Sequence, residues 1–299
     1  MTSTYRTRFA PSPTGKMHVG HARTALVTWL QARKLEGRIV MRIEDLDGPR
    51  VVPGAADEIC HEHEWLGLDW DEGPVYQSSR EEAYEKALAQ LEAAGLAYPC
   101  TCSRKEIAGI ASAPHGEEGP RYPGTCRTGV TKPGRPAALR FLFEDPSPGF
   151  EDVLCGPIRA GQVGGDFVLR RADGLWAYQL AVVVDDAEAR ISEVIRGADL
   201  LSSTPRQIAL YRALGHRVPR FAHVGLVLDS EGRRLSKREG STSIESLRDA
   251  GRSAEEVIGQ LACSLGLTET AEAVRAEELI PGFELKAISR SSFTWDQRG

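Results

Sequence analysis

Long apolar stretches are missing from this chain. The longest uninterrupted hydrophobic run, Leu180 to Val184, is five residues, whereas a membrane-spanning helix needs about 20. The opening segment Met1 to Arg8 is polar and basic with no apolar run behind it, so a secretion signal is not expected. A soluble, cytoplasmic protein with no membrane partner is therefore the expectation. Cysteine is sparse as well: six residues in 299, without a secretory context, argue against a disulfide framework and leave metal binding or buried thiols. Excess positive charge is also lacking, since 37 Lys and Arg face 42 Asp and Glu for a net charge of -5. That excludes a generally basic protein that coats nucleic acid, and any such contact must use a local patch. Two clusters qualify. Residues 121 to 140 carry five basic and no acidic side chains, and residues 190 to 240 carry ten basic against five acidic, although such clusters by themselves usually mark solvated surface. No internal repeat is present.

What remains is an ordinary globular composition, 41% hydrophobic and 26% charged, in a length that suits about two domains. Arg6 to Ala10 reads as a strand running into a rigid turn, Pro11-Ser12-Pro13-Thr14-Gly15. Val19, Ala22, Leu26, Trp29 and Leu30 then recur at helical spacing, Gly37 offers a stop, and Arg38 to Ile43 forms a second strand. The unit is β-α-β. Ser79 and Glu82 predict a capping box before a helix whose Tyr84, Ala87, Leu88 and Leu91 share one face. Residues 103 to 136 dissolve into Pro and Gly, a segment held by something other than a core. Strands are predicted at Leu139 to Phe143, Phe167 to Arg170 and Leu175 to Val184, the last two joined across Asp173-Gly174. A helix from Thr204 to Leu214, a strand from His223 to Leu228 ending in a turn at Asp229 to Gly232, and a helix opened by Ser253 and Glu256 complete the pattern before an acidic, weakly patterned tail. Alternating strands and helices favour a mainly parallel α/β sheet.

Two segments carry chemistry. His18-Val19-Gly20-His21 stands at a helix start, where imidazoles, free backbone N–H groups and the positive end of the helix dipole suit nucleotide phosphates. Gly20, without a side chain, leaves room for adenine or ribose against the backbone. Arg233-Arg234-Leu235-Ser236-Lys237-Arg238 is a cationic loop after a strand and turn. Lys237 there could steady charge on an α-phosphate and on departing pyrophosphate. A third group, Cys100-Thr101-Cys102 with Cys126, spans the Pro/Gly-rich segment, and three thiolates can hold a structural zinc. The fourth ligand is open between His115, the ordinary chemical choice, and Tyr122. Cys60, Cys155 and Cys263 have no partner at ligand spacing.

Arg8 to Gly15 with His18 to His21, followed some two hundred residues later by Leu235-Ser236-Lys237-Arg238, resembles the paired signatures of class I aminoacyl-tRNA synthetases. More narrowly, Arg42 to Asp47, Trp65 to Pro74 and Tyr178 to Asp186 resemble the glutamyl and glutaminyl branch, over roughly residues 6 to 240. The resemblance implies an α/β fold: a Rossmann-type nucleotide-binding domain in two halves (1–98 and 177–240), an inserted zinc-containing subdomain (99–176) and a short C-terminal helical extension (241–299), working as a monomer. It implies glutamate and ATP as substrates with Mg²⁺. Arg8, Ala10 and Ser12 would lie along the amino acid, Glu44 would take its ammonium, and Tyr178 and Arg196 would complete the pocket. His18, Gly20, His21 and Lys237 would serve ATP, with His18, His21 and Lys237 catalytic. It also favours Tyr122 as the fourth zinc ligand beside Cys100, Cys102 and Cys126. Guanidinium is in any case the natural bidentate partner of a carboxylate. Only 61 residues follow Arg238, so no anticodon-binding domain is expected, which resembles the truncated glutamyl-type members. These imply glutamate activation without tRNA and transfer to queuosine in the anticodon of tRNA(Asp). The competing readings are a minimal enzyme charging a tRNA 3′ end, and an inactive paralogue that binds ATP or RNA.

Overall fold

In the computed structural model the described residues are 5–103, 105–107, 122–143, 149–159, 161, 165–229 and 243–295. The opening unit is the predicted β-α-β: β1 (Arg6–Phe9), α1 (Val19–Lys34) and β2 (Arg38–Ile43), with the two strands parallel. Left-handed backbone at the end of α1 falls on Glu36, at φ 49°, one residue before the glycine expected to stop it. Next come α2 (Ala55–Trp65) and β3 (Glu72–Tyr76), parallel to β2. Side chains alternate across β2: Ile39, Met41 and Ile43 enter one core with Phe9 and Leu26, while Val40 enters a second core. Arg42 shares the face of Val40, because strand side chains repeat every second residue. That alternation places a guanidinium under the second layer.

α3 (Glu81–Ala93) buries Tyr84, Ala87, Leu88 and Leu91 as predicted, but no capping box opens it. Ser79 sits in a short 3-10 turn and donates to the Tyr76 carbonyl at 2.7 Å, so Arg80 occupies the N-cap position. β4 (Ala97–Cys100), β5 (Ala138–Phe141) and β8 (Phe167–Arg170) form an antiparallel sheet. Between them lie β6 (Phe150–Asp152) and β7 (Gly156–Ile158).

The strand predicted from Leu175 to Val184 is instead helix α4 (Tyr178–Glu188), with every residue from Leu180 to Asp186 buried. A run of three valines has strand propensity. In a helix enclosed on all sides, however, burial outweighs the small intrinsic penalty of β-branched residues. After it come β9 (Glu193–Gly197), α5 (Thr204–Ala213), β10 (Arg220–Val224) and β11 (Val227–Leu228). The single strand expected from His223 to Leu228 is thus broken at Gly225. An added Cβ there would lie 2.5 Å from the Ser291 carbonyl oxygen, so the strand turns where the tail crosses it. β6, β10 and β9 run parallel, and Ser192 N–H donates to the Arg6 carbonyl at 2.9 Å where β9 passes beside β1. β1 therefore has β2 on one side and β9 on the other, the point at which the winding of an open α/β sheet reverses.

The C-terminal part comprises α6 (Ile244–Asp249), α7 (Ala254–Ser264), α8 (Ala276–Leu279) and β12 (Phe293–Thr294). Ser253 and Glu256 form the predicted capping box. The tail is more ordered than its sequence suggests: Phe283, Leu285, Ile288 and Trp295 enter the first core, and β12 pairs in parallel with β11. Among the described residues, no helix is long and apolar enough to cross a membrane.

Candidate active site

A cavity of about 330 Å³ opens beyond the C-terminal ends of the parallel strands. Its wall takes Ala10 and Ser12 after β1, Glu44 after β2, Gly197 and Asp199 at and after β9, and Gly225 after β10. Ligand crevices in open α/β sheets form at this edge because the strands fan apart where the connection reverses. Arg8, Tyr178 and Arg196 line one region, and His18, Gly20 and His21 line another. All nine described residues expected at the amino acid and nucleotide therefore meet in one cavity. The tenth, Lys237, lies outside the described residues, as do His115 and the part of the expected turn that follows Asp229, Ser230 to Gly232.

The region around Arg8 and Arg196 is built on buried charge. Arg8, 4% exposed, donates from Nη1 to the Ile195 carbonyl at 3.1 Å and holds its Nε 3.4 Å from Asp186. Arg42 bonds Asp186 through Nη1 and Glu44 through Nη2, the latter at 2.9 Å. Asp185 accepts from Gln77 at 2.7 Å, Tyr84 at 2.9 Å and Arg80 at 3.0 Å, so it is already committed. Arg196 differs from the other two arginines. Its hydrogen-bond partners are all neutral: Gln207 Oε1 at 2.8 Å, Thr204 Oγ1 at 2.8 Å, the Leu200 carbonyl at 3.3 Å and His223 Nε2 at 3.0 Å. Burial pulls its pKa below the usual guanidinium range, with Tyr178 and Asp186 acting against that. Of the three buried guanidinium groups, Arg8 and Arg42 thus contact the carboxylates of Asp186, Glu44 and Asp185, the last 3.9 Å from Arg42 Nε, whereas Arg196 is bonded directly by none of them. A buried guanidinium that no carboxylate bonds directly is suited to an anionic ligand. Glu44 is raised by burial, although the Arg42 and Arg8 charges oppose the rise. Because it points into the same cavity, it offers an acceptor for an ammonium.

At the nucleotide region His18 is the N-cap of α1 and does not share a helix face with His21. Its backbone is extended, and its Nδ1 accepts the His21 N–H at 3.3 Å. The His21 ring meets His63 edge-on at 5.5 Å, and His63 in turn packs on Phe9 at 4.7 Å. Burial drives the His63 pKa down to about 4, only partly offset by the Ile59 carbonyl, so His21 rests on a neutral ring. A Cβ at Gly20 would come 3.1 Å from His18 Nδ1 and 3.6 Å from Val227, so the absent side chain keeps both the cap and the cavity open. Chain that flanks the Lys237 segment also returns here: Val227 lines the cavity, Ser243 bridges His18, and Ile244 N–H donates to the Met17 carbonyl at 2.9 Å. Glu62 of α2 ties these pieces together, accepting the Met17 N–H at 3.2 Å and the Glu245 N–H at 3.1 Å.

The expected metal ligands also converge. Cys100 Sγ lies 3.3 Å from Tyr122 Oη, Cys102 Sγ 3.9 Å from the same oxygen and 3.6 Å from Cys126 Sγ. The three sulfurs fall within 4.8 Å of one another, and ligands of a tetrahedral ion at about 2.3 Å would have just such spacings. Although burial raises the Cys126 thiol, the N–H groups of Thr131 and Thr101 bring it down to about 6, which favours the thiolate a metal needs. The Arg140 guanidinium lies 4.0 Å from the Tyr122 ring centroid, a further positive charge beside the phenol. In the basic run at residues 121 to 140, Arg127 pairs with Asp166 at 2.6 Å, while Lys132 and Arg135 share Glu106.

Sequence reasoning missed Arg42, Asp186, His223 and Asp152. The available signal was charge inside apolar runs, as in Val40-Met41-Arg42-Ile43 and Val183-Val184-Asp185-Asp186.

Fold, cavity and paired charge together define a class I tRNA synthetase catalytic domain, and the chain belongs to that family: the model described as "tRNA synthetases class I (E and Q), catalytic domain" matches residues 4–298. It is therefore a member of an enzyme family of ligases. Among curated proteins, it is 51% identical to the glutamyl-Q tRNA(Asp) synthetase of Symbiobacterium thermophilum, over 95% of this chain and 93% of that protein. It is 49% identical to the protein of the same name from Deinococcus radiodurans, over 92% and 94%. Among solved structures, the glutamate-tRNA synthetase of Elizabethkingia anophelis superposes with a TM-score of 0.84 at 28% identity, over 99% of this chain and 69% of that one.

Proposed function

We propose that this chain activates glutamate with ATP in the absence of tRNA, then transfers the glutamyl group to queuosine in the anticodon of tRNA(Asp). The observation that carries the first step is Arg196, a buried guanidinium whose hydrogen-bond partners are all neutral. It matches a ligand with a side-chain carboxylate, and Glu44 across the cavity supplies the acceptor for its ammonium. An oxygen of the α-carboxylate attacks the α-phosphorus of ATP, the bond to the bridging oxygen breaks, and pyrophosphate leaves with its electron pair. Arg8, Tyr178 and Arg196 orient the amino acid so that this oxygen reaches the phosphorus. His18 and His21, at the N-terminal end of α1, bind phosphate and steady the growing charge, a role shared with Lys237. Mg²⁺, when bound to ATP, supplies further neutralisation of the phosphate charge. In the second step a hydroxyl of the modified base attacks the activated carbonyl, an ester forms, AMP leaves, and the hydroxyl proton is released.

The transfer step is supported by the shared name of the Symbiobacterium and Deinococcus relatives, which cover nearly all of this chain. Cys100, Cys102, Tyr122 and Cys126 hold a structural zinc that orders an insertion with little core of its own. The test is ATP–pyrophosphate exchange across amino acids with and without tRNA, followed by cleavage of the acylated product. Glutamate-dependent exchange without tRNA, with label on the anticodon fragment, is expected. Label on the 3′-terminal fragment would establish ordinary charging instead, and absence of exchange would establish a binding role.

A further inference from the structure

The Arg196 guanidinium is held from behind by a line of side chains crossing three adjacent strands. Arg196 on β9 and His223 on β10 are register partners in a parallel pair, and Asp152 closes β6 on the far side of β10. Asp152 Oδ2 lies 2.6 Å from His223 Nδ1, and His223 Nε2 lies 3.0 Å from Arg196 Nε. Both Asp152 and His223 are 1% exposed, and neither lines the cavity.

The protons on this line are dictated by chemistry. A guanidinium only donates, so His223 Nε2 must present its lone pair, and the ring proton must sit on Nδ1 facing the carboxylate. Asp152 is fixed as a carboxylate by its other oxygen, which accepts the N–H groups of Leu154 at 3.0 Å, Cys155 at 2.8 Å and His223 at 3.2 Å. The Thr204 hydroxyl closes the arrangement: it accepts from Arg196 Nη2 at 2.8 Å and lies 3.2 Å from His223 Nε2. With Nε, both Nη2 hydrogens and one Nη1 hydrogen engaged, one Nη1 N–H of the five guanidinium donors is left for a ligand. Its direction depends on how the whole plane is held. A neutral acceptor at 223 also preserves the positive charge that a carboxylate at the same place would cancel.

We infer that His223, locked in one tautomer by Asp152, is a positioning residue that aims Arg196 at the substrate's side-chain carboxylate, and that the Asp152–His223 pair thereby sets selectivity for an acidic amino acid. This rests on the reading of Arg196 as the carboxylate partner. In Asp152→Asn the three backbone N–H groups keep the amide oxygen, and the amide NH₂ turns to the imidazole. The ring proton moves to Nε2, where it opposes the Arg196 Nε–H. His223→Leu removes the acceptor, whereas His223→Gln restores one near the Nε2 position.

The experiment is glutamate-dependent ATP–pyrophosphate exchange on the full chain with Asp152→Asn, His223→Leu, His223→Gln and Arg196→Ala. KM is read separately for glutamate and for ATP, so that a loss of folded protein, which lowers only the apparent kcat, is not mistaken for the effect. KM for glutamate is expected to rise about tenfold to a hundredfold in Asp152→Asn and His223→Leu, the range for a lost hydrogen bond to a charged group. KM for ATP should be unchanged, and His223→Gln should return towards the wild-type value. If Arg196→Ala loses glutamate binding while Asp152→Asn and His223→Leu keep the wild-type KM, the positioning role is overturned and the assignment of Arg196 stands. If Arg196→Ala itself keeps the wild-type KM, that assignment falls, and the inference with it.

Discussion

Glu62 offers a test of how the start of α1 and the chain from Ser243 onward are joined. It is fully buried on α2, and its carboxylate accepts the Met17 N–H just before His18 and the Glu245 N–H beyond the Lys237 segment. Burial raises its pKa from 4.5 to about 7, although those two N–H groups act in the opposite direction. In the unfolded chain the group titrates near 4.5, so between the two values the folded protein holds a proton that the unfolded chain has released. The associated stability is fully present below 4.5 and is lost as pH rises through about 7. A displacement of about 2.5 units, at about 1.36 kcal/mol each, amounts to roughly 3 kcal/mol. Glu62→Gln removes that proton linkage. It also turns an amide NH₂ towards one of the two backbone donors, adding a pH-independent cost of about 1 kcal/mol. Urea unfolding of both proteins from about pH 5 to pH 8 should therefore give a wild-type advantage that shrinks by up to roughly 3 kcal/mol as pH rises. Two stability curves that stay parallel over this range would refute the reasoning, because the carboxylate would then titrate alike folded and unfolded.

Lys237→Ala should lower the rate of glutamate-dependent pyrophosphate exchange by about a hundredfold to a thousandfold, the cost of removing one donor to developing charge, with little change in KM for glutamate. Gly225→Ala forces a Cβ to 2.5 Å from the Ser291 carbonyl oxygen and 2.8 Å from that of Arg290. The crossing of tail and strand must open, at about 1–3 kcal/mol, so the melting temperature should fall and KM for ATP should rise, because Val227 of β11 lines the cavity. Cys126→Ala should reduce zinc, measured by elemental analysis, from one per chain to none, and limited proteolysis should then cut within residues 100–135 while exchange activity persists.

Much of the site was legible because it is built from local segments. The rigid Pro11-Ser12-Pro13 turn, the helix start at His18 and the strand end at Glu44 each carry their geometry in a few consecutive residues. The cysteine cluster was legible from Cys-x-Cys and Cys126, but spacing along a loop does not say which other donor faces the sulfurs; Tyr122 does, and His115 lies outside the described residues. Val182, Val183 and Val184 misled for a similar reason: enclosure by neighbours on every side erases the periodicity that separates helix from strand. The tail was underread because Phe283, Ile288 and Trp295 reach the core from irregular chain with no repeating period.

Motifs, and the family resemblance they carry, thus pointed to Arg8, Glu44 and Arg196, and local pattern placed His18 at a helix start. Only the folded arrangement decided how those charges balance. Asp186 engages both Arg8 and Arg42, while Arg196 is left among neutral partners because His223 and Thr204 happen to be its neighbours across strand and helix. Net charge at a buried point depends on distances between side chains far apart in sequence. No order of residues along a chain expresses those distances until the strands are laid side by side.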